Sequence, residues 1–406
     1  MQKLAALPES VRQYLLITAN YWVFTLTDGA LRMLVVLHFY KLGYAALDIA
    51  LLFLFYEIFG VVTNLFGGWL GARVGLNRTM NLGLLLQVLA LAMLLVPSAA
   101  LTLAWVMAAQ ALSGIAKDLN KMSAKSAIKL LVPKGENSAL FRWVALLTGS
   151  KNALKGAGFF LGGALLSALQ FQGAVSAMLL MLGAVWLLSI LTLKNDLGRG
   201  TKKSKITAVF SKSRAINVLA AARLCLFAAR DVWFVVALPV YLASKLAWPH
   251  WQVGSFLAAW IIGYGVVQTV APKLFYRSSH SGPGGTAATT CATVLTLVTA
   301  TLAAAMSIGL PPAATLVIGL MIFGVAFAVN SSLHSYLIVS YARDDGVSLD
   351  VGFYYSANAA GRLLGTVLSG WLFQAYGLIP CLWVSAGLLV SAALLSLALP
   401  KTIDPA

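Results

Sequence analysis

The residues most able to do chemistry in this 406-residue chain are charged side chains that interrupt long apolar stretches. An ionisable group at the centre of a membrane helix costs roughly 2.5–3.5 kcal/mol, so it is seldom kept without a function. Eight basic candidates for binding occupy such positions: Arg32, Lys117, Lys121, Lys151, Lys155, Arg223, Arg230 and Arg362. Four acids do so too, and they are the candidates for proton coupling: Asp28, Glu57, Asp118 and Asp231.

Regular spacing places several of the lysines on one helix face. Four of them stand at every fourth position: Lys117, Lys121, Lys125 and Lys129. Lys151 and Lys155 repeat the same step, and steps of four keep side chains on one side of a helix. The pattern predicts a basic stripe in which Lys125 and Lys129 reach toward the cytoplasmic surface.

Spacing also predicts some ion pairs. Asp28 lies four residues before Arg32, and Asp118 lies three residues before Lys121, so both pairs can form on one helix. The alternative role of these charges is therefore structural pairing inside the helix bundle.

Arg230 directly precedes Asp231, and because adjacent helix positions point apart, its partner is expected on another helix. Pairing each of the four acids once leaves about four of the eight basic residues over, an excess that favours a bound anion or a water-filled path. Guanidinium groups suit tetrahedral oxyanions because they donate paired hydrogen bonds, whereas lysines act as point charges.

Neutral polar residues complete the candidate binding site. They are Asn330, His334, Tyr355 and Asn358, in the tenth and eleventh apolar segments. His334 could titrate as part of the protein's function or could be a hydrogen-bonded helix contact, and the sequence leaves both open.

The elements that must position these residues are membrane helices. The chain is 60% hydrophobic and only 10% charged, and its apolar runs reach about 20 residues or more, enough to cross a bilayer. The first run carries Asp28 and Arg32 and is too long for a cleavable signal peptide. We predict twelve segments near 13–39, 46–71, 79–97, 101–126, 141–169, 173–193, 215–243, 250–274, 286–308, 312–340, 349–376 and 378–399.

The predicted fold class is an all-α membrane protein with twelve transmembrane helices in two six-helix halves. Residues 1–195 form the first bundle, 196–213 a basic linker, and 214–406 the second bundle. Lysine and arginine concentrate in one alternating set of loops, which predicts that both termini and the linker are cytoplasmic. The linker could instead bind lipid or nucleic acid; a topogenic role is favoured, and no nucleic-acid partner is expected.

The sequence carries no signature of catalysis or metal binding. Cys225, Cys291 and Cys381 stand singly, and no Cys/His cluster occurs. The motifs HExxH, GxSxG, GxGxxG and the P-loop are missing from the loops. We therefore expect no catalytic residue, no metal and no cofactor, and a protein that is not an enzyme.

The two halves align as weak repeats. A shift of 203 places Asp28 on Asp231. A shift of 207 gives three further matches: Lys155 with Arg362, Gly158 with Gly365, and Gly163 with Gly370. Such a repeat favours alternating access over a simple pore.

Three short motifs, with this repeat, resemble the major facilitator superfamily. "GGWLGARVGLNR" is similar to its GxLxDRxGRR loop, with Ala72 where the family has aspartate; its glycines could also serve helix packing. "QALSGIA" resembles RxxQG with Gln110 at the arginine position, and "GFFLGG" resembles GPxxGG with Phe159 at the proline position.

This resemblance implies that segments 1, 4, 7 and 10 line the pathway, helped by 5 and 11. Organophosphate exchangers of the superfamily hold phosphate between arginines of segments 1 and 7. Arg32, with Arg223 or Arg230, is similar to that arrangement.

Longer stretches resemble the organoarsenical efflux transporters of the ArsJ type, among them "NYWVFTLTDGALRMLVVLHFYKLGY", "SGIAKDLNKMSAKSAIKLLVP" and "FYYSANAAGRLLGTVLSGW". The resemblance implies a bacterial inner-membrane exporter of 1-arseno-3-phosphoglycerate that confers arsenate resistance. Glyceraldehyde-3-phosphate dehydrogenase, which forms this ester from arsenate, would be its functional partner. The protein would be embedded in the lipid bilayer, and we expect it to be a monomer. The alternative is a carrier for another phosphorylated or carboxylated organic anion.

Overall fold

The computed structural model describes residues 9–42, 52–97, 100–133, 135–193, 197, 213–248, 250–275, 282–344 and 346–403. The predicted basic linker 196–213 falls outside these ranges except for residues 197 and 213. Its topogenic role therefore stays a prediction.

The described residues form helices in nearly every range. The first five are α1 (Glu9–Lys41), α2 (Leu54–Val74), α3 (Leu76–Met93), α4 (Leu103–Leu131) and α5 (Asn137–Thr192). The next four are α6 (Arg214–Phe234), α7 (Ala237–Ser244), α8 (His250–Val270) and α9 (Pro272–Phe275). The last four are α10 (Gly285–Ser307), α11 (Pro312–Tyr341), α12 (Val347–Tyr376) and α13 (Leu378–Ser396). A small antiparallel pair joins β1 (Gly282–Pro283) to β2 (Thr402–Ile403).

Each of the twelve predicted segments contains a helix, which confirms the all-α fold of twelve membrane helices. Helix α5 contains two of the segments. They are separated at Gln170, whose φ of 57° interrupts the helix between the predicted ends 169 and 173. Segment seven comprises α6 and α7, and segment eight comprises α8 and α9.

Eight of the described helices are long and apolar enough to cross a membrane on length and composition. Helices α2, α4 and α12 are not in that set. Helix α4 owes this to Lys117, Asp118, Lys121 and Lys125, which lie within its span. Each of these three helices carries charged candidates: Glu57 on α2, Lys117, Asp118 and Lys121 on α4, and Arg362 on α12.

The chain forms two compact units, which we name unit A and unit B. Unit A consists of Met1–Pro133, Ser150–Ser211 and Ala342–Ser356. Unit B consists of Lys134–Gly149, Lys212–Tyr341 and Ala357–Ala406. Each unit is mainly one half of the sequence and also includes a short piece from the other half. The boundaries predicted from sequence stay a prediction.

Close backbone approaches hold unit A together where glycines face a neighbouring helix. A Cβ on Gly158 of α5 would lie 2.6 Å from the carbonyl oxygen of Leu26 in α1. A Cβ on Gly67 of α2 would lie 2.8 Å from a methyl group of Leu119 in α4. The packing role considered for the α2 glycines is therefore confirmed for Gly67.

Unit B repeats the first of these contacts. A Cβ on Gly365 of α12 would lie 2.7 Å from the carbonyl oxygen of Ala228 in α6. Since Gly158 and Gly365 are matched by the sequence repeat, the same pair of helices packs in the same way in both units. An aromatic contact, in which Trp233 of α6 meets Phe323 of α11 edge to face at 5.0 Å, also holds α6 in unit B.

Candidate functional site

Tyr56 on α2 is the centre of the first charged cluster, in unit A. Its buried hydroxyl donates to Asp28 at 2.8 Å from Oδ1 and 3.0 Å from Oδ2. The Nζ of Lys117 lies 3.7 Å from the ring centroid, and the Cζ of Arg32 lies 5.0 Å from it. One side chain therefore joins an acid to two cations.

The predicted pair of Asp28 and Arg32 is wrong. Arg32 instead forms an ion pair with Glu57 of α2, at 3.3 Å between Nη2 and Oε1. Asp28 accepts hydrogen bonds from the hydroxyl of Tyr56, which also lies on α2. Spacing along α1 could not reveal this, because both competing partners come from α2.

Asp118 on α4 is shared by two lysines of its own helix. Lys121 donates to Oδ1, which confirms the predicted pair, and the Nζ of Lys117 lies 3.7 Å from Oδ2. Gly60 of α2 provides the space for this carboxylate, since a Cβ there would lie 2.7 Å from Oδ2. The carboxylate is buried and carries less charge than its two partners combined.

Tyr355, at the start of α12, extends the cluster along α4. The Nζ of Lys121 lies 4.8 Å from its ring centroid and that of Lys125 lies 4.7 Å from it, while Lys125 also donates to the hydroxyl. Lys125 was expected to reach the surface, but it is only 2% exposed. The first residues of α12 belong to unit A and cover it, whereas Lys129 is half-buried.

Asp231 on α6 is the centre of a second cluster, in unit B. Its Oδ1 lies 2.5 Å from Nη2 of Arg230, and its Oδ2 accepts from Nε of Arg362 on α12 at 3.3 Å. The prediction that Arg230 would not pair with its sequence neighbour is wrong. A long arginine side chain bends back far enough to reach an adjacent carboxylate.

Arg223 lies two turns before Arg230 on the same helix. Its Nε donates to Oδ1 of Asn358 at 2.8 Å and its Nη1 donates to the carbonyl oxygen of Ser331 at 3.2 Å. The guanidinium stands 4.0 Å above the ring of Phe227, whose centroid is also 4.8 Å from Cζ of Arg230. Two predicted binding residues, Arg223 and Asn358, are therefore in direct contact.

Two polar candidates on α11 are buried beside this cluster. Asn330 is fully buried, and neither amide atom of its side chain has a hydrogen-bond partner among the described residues. His334 is buried one turn later, with Arg223 as a charged neighbour. Both interpretations of His334 remain predictions.

Lys151 and Lys155 lie half-buried on the part of α5 that belongs to unit A. The backbone of Lys155 abuts α1, because a Cβ on Gly29 would lie 2.7 Å from its carbonyl oxygen. Their contribution to binding stays a prediction.

Two aromatic residues of these clusters were not identified from sequence. Phe227 could have been found, because it lies four residues after Arg223 and three before Arg230, on their shared helix face. Tyr56 gave no such signal, since its three partners lie on α1 and α4.

Within the described ranges, no cluster of three or more His, Cys, Asp or Glu side chains could hold a metal ion. The three cysteines are free thiols in separate helices, with Cys381 buried and the others half-buried.

Comparisons with known proteins agree with this architecture. The family model described as Major Facilitator Superfamily matches residues 17–292, more than half of the chain. No curated protein sequence matches this chain significantly.

Solved structures similar to the chain include the human organic anion transporter MFSD10 (TETRAN), at 16% identity and a TM-score of 0.77, covering 96% of this chain and 100% of that one. An outward-facing bacterial homologue of the iron transporter ferroportin has 14% identity and a TM-score of 0.76, over 95% and 98% of the two chains. The E. coli fucose:proton symporter FucP has 12% identity and a TM-score of 0.74, over 96% and 98%. At these identities the likeness concerns the fold.

Proposed function

The chain belongs to the major facilitator superfamily, a family of membrane transporters rather than enzymes, and from that premise we propose that it exports an organoarsenical anion. The cargo we propose is 1-arseno-3-phosphoglycerate, carried out of the bacterial cytoplasm across the inner membrane by alternating access. Both termini would be cytoplasmic, and the monomer would be sufficient. Export would confer arsenate resistance, because the ester hydrolyses readily once outside.

The observation that carries the proposal is an excess of positive charge in both clusters. Unit A holds four cations against three acids around Tyr56 and Tyr355: Arg32, Lys117, Lys121 and Lys125 against Asp28, Glu57 and Asp118. Unit B holds three arginines, Arg223, Arg230 and Arg362, against Asp231. Phosphate and arsenate groups are tetrahedral oxyanions, and a cluster with an excess of cations suits such a group.

Aromatic rings support the same function by stabilising cations without neutralising them. Each of three rings lies beside two cations: Tyr56, Tyr355 and Phe227. A ring face attracts a cation electrostatically but leaves its full charge in place, so the cluster stays attractive to an anion. A carrier for neutral arsenite would not require this arrangement.

The second candidate is transport of another phosphorylated or carboxylated organic anion. It is favoured by the charge excess and by the fold shared with an organic anion transporter. Only the choice of cargo separates the two candidates, so the test must vary the cargo.

Transport into inside-out vesicles provides that test. Vesicles containing the protein receive arsenate, glyceraldehyde-3-phosphate, NAD and the dehydrogenase, and trapped arsenic is measured. Arsenic should accumulate only when all components are present. Accumulation of arsenate alone would contradict the proposal, and uptake of 3-phosphoglycerate without any arsenic uptake would favour the second candidate.

Two substitutions test the clusters in cells. We expect Lys117→Ala and Arg230→Ala each to abolish arsenate resistance while the protein still reaches the membrane. Lys273→Ala, at an exposed lysine, is the matched control and should leave resistance unchanged. Full resistance in both cluster variants would contradict a role for these cations.

A further inference from the structure

Two adjacent side chains of α11 in unit B, Asn330 and Ser331, are buried without hydrogen bonds. Asn330 is 0% exposed and Ser331 is 1% exposed. Neither amide atom of Asn330 nor the hydroxyl oxygen of Ser331 has a hydrogen-bond partner among the described residues. Because buried side-chain polar atoms of native proteins are nearly always bonded, this pair requires an explanation.

The face of α11 that carries these residues is directed at the arginines of α6. One turn before Asn330, the ring centroid of Phe327 lies 5.5 Å from Cζ of Arg230. The carbonyl oxygen of Ser331 accepts from Nη1 of Arg223 at 3.2 Å. Residues three positions apart share a helix face, so Asn330 lies on the same face as Phe327. The unpartnered polar groups therefore lie beside the arginine cluster of unit B.

The next residue along α11, Ser332, shows that packing can satisfy a buried hydroxyl on this helix. Its Oγ donates to the carbonyl oxygen of Gln268 on α8 at 3.1 Å. Asn330 and Ser331 have no such bond within the described part of the chain. An apolar residue at either position would need no partner and would avoid the cost of burying polar atoms. A ligand therefore explains the pair better than packing does.

An amide and a hydroxyl suit one kind of ligand group. The Asn330 side chain has an acceptor oxygen and a donor nitrogen, and the Ser331 hydroxyl can both donate and accept. An ionised phosphate, arsenate or carboxylate only accepts hydrogen bonds, so it would leave the amide oxygen unsatisfied. An alcohol group donates one hydrogen bond and accepts others, so it can bond to both ends of the amide.

We propose that Asn330 and Ser331 recognise an alcohol hydroxyl of the cargo, and that unit B therefore selects hydroxylated organic anions. Asn330 is the specificity-determining residue, while Arg223 and Arg230 bind the neighbouring anionic group. The inference rests on the proposed function for the presence of an anion at these arginines. The proposed ester meets the requirement, because its glycerate part carries a free hydroxyl. The second candidate is narrowed to anions that also carry an alcohol group.

Arg223 controls access to the two polar side chains. Its guanidinium is bonded to two neutral acceptors, the amide oxygen of Asn358 and the carbonyl oxygen of Ser331. An ionised oxygen forms a stronger hydrogen bond with a guanidinium than a neutral oxygen does. An anion therefore draws the long Arg223 side chain away from Ser331 and uncovers it. Anion binding precedes recognition of the hydroxyl.

Two probes of equal charge test this selection. 3-Phosphoglycerate carries the hydroxyl, and 3-(phosphonooxy)propanoate is the same molecule without it. Calorimetric titration of the purified protein in lipid nanodiscs should show at least about tenfold tighter binding of the hydroxylated probe. Equal affinities, tighter binding of the deoxy probe, or no binding of either probe would overturn the proposal.

Asn330→Leu should abolish the preference. Leucine is similar in size to asparagine and needs no hydrogen bond. We therefore expect the affinity for the deoxy probe to be kept and that for 3-phosphoglycerate to fall to the same level. Ser331→Ala is a smaller change and should reduce the preference by about threefold.

Ser332→Ala is the matched control for both variants. Its hydroxyl is bonded to Gln268, so its removal should leave the wild-type preference. General structural damage would lower both affinities together and leave their ratio unchanged, and so would the loss of an ordered water at Asn330. A wild-type ratio in both Asn330→Leu and Ser331→Ala would refute recognition of the hydroxyl.

The probes also separate this inference from the proposed function. A hydroxyl preference that depends on Asn330, in a protein that accumulates no arsenic, supports the selection and removes the arsenical cargo. Arsenic accumulation by a protein that binds both probes equally supports the cargo and removes the selection.

Discussion

Three aromatic residues, Tyr56, Tyr355 and Phe227, each bring two cations to one ring. A cation–π contact contributes about 0.5–2 kcal/mol, depending on how far the cation is desolvated. The free energy of one such contact is therefore comparable to that of a modest hydrogen bond, and the lysine or arginine keeps its full charge. An aromatic ring between two cations therefore offsets part of their mutual repulsion when no anion is bound.

Tyr56 should be needed chiefly for its ring. Tyr56→Phe keeps the ring beside Lys117 and Arg32, so we expect the affinity for 3-phosphoglycerate to change by less than about threefold. Tyr56→Leu removes contacts to both cations and should weaken binding by about tenfold or more. Calorimetric titration of both variants measures the difference. Equal losses in the two would assign the effect to the hydroxyl.

Asp118 should be needed for stability. Removing one partner of a buried ion pair costs about 3–5 kcal/mol, because a charge is left buried without compensation. Asp118→Asn leaves both Lys117 and Lys121 without this carboxylate, so we expect a marked fall in Tm in detergent. Lys117→Gln is the control, since Asp118 then retains Lys121. An equal fall in Tm for both variants would contradict the expectation that Asp118→Asn is the more destabilising change.

Sequence reasoning at this scale succeeded for one pair within a helix, Asp118 with Lys121, and failed for Asp28 with Arg32, whose partners come from another helix. Asp118 and Lys121 were predicted because three residues bring them to one face. The partner of Asp28 was not, because the side chain that reaches it is set by how α2 packs on α1. Nothing in the spacing of α1 encodes that packing.

At the scale of elements, matched glycines bring equivalent helices together in the two units. Gly158 lets α5 approach α1, and Gly365 lets α12 approach α6. The segments themselves could be predicted from apolar length alone. The repeat match of these glycines also indicated a shared role, although only the structure identifies the helices they face.

These glycines offer a matched test of packing. Gly158→Ala and Gly365→Ala place a Cβ 2.6 Å and 2.7 Å from backbone oxygen, so each should cost about 1–3 kcal/mol by overpacking. The other matched pair is the control. A Cβ on Gly163 has its nearest neighbour at 3.8 Å, and one on Gly370 has none within 4 Å. Gly163→Ala and Gly370→Ala should be neutral or slightly stabilising by helix propensity, as thermal unfolding would report.

At the scale of the whole molecule, twelve helices and their family follow from hydropathy and repeat, whereas the composition of the two compact units does not. Residues 342–356 belong to unit A although they come late in the sequence, and 134–149 belong to unit B. Sequence periodicity does not predict that these two pieces join the other unit. The assignment depends on the tertiary contacts made by the first parts of α5 and α12.

Orientation in the membrane is testable with reporter fusions. The Lys/Arg asymmetry predicts a cytoplasmic carboxyl end, so green fluorescent protein fused after residue 403 should fluoresce and alkaline phosphatase fused there should be inactive. Alkaline phosphatase inserted between α10 and α11 is the control and should be active. Reversed activities would invert the predicted topology.

Helix α4 has a consequence for how the protein is made. Its charged residues keep it out of the set of helices apolar enough to span a membrane, and each such residue costs roughly 2.5–3.5 kcal/mol near a helix centre during insertion. Asp118 forms its ion pairs with lysines of the same helix, so part of that cost is offset before any other helix arrives. Neighbouring helices must offset the remainder, and the Tyr56 and Tyr355 rings beside these lysines come from segments synthesised before and long after α4. We therefore expect part of the insertion cost of α4 to stay uncompensated until Tyr355 has been synthesised.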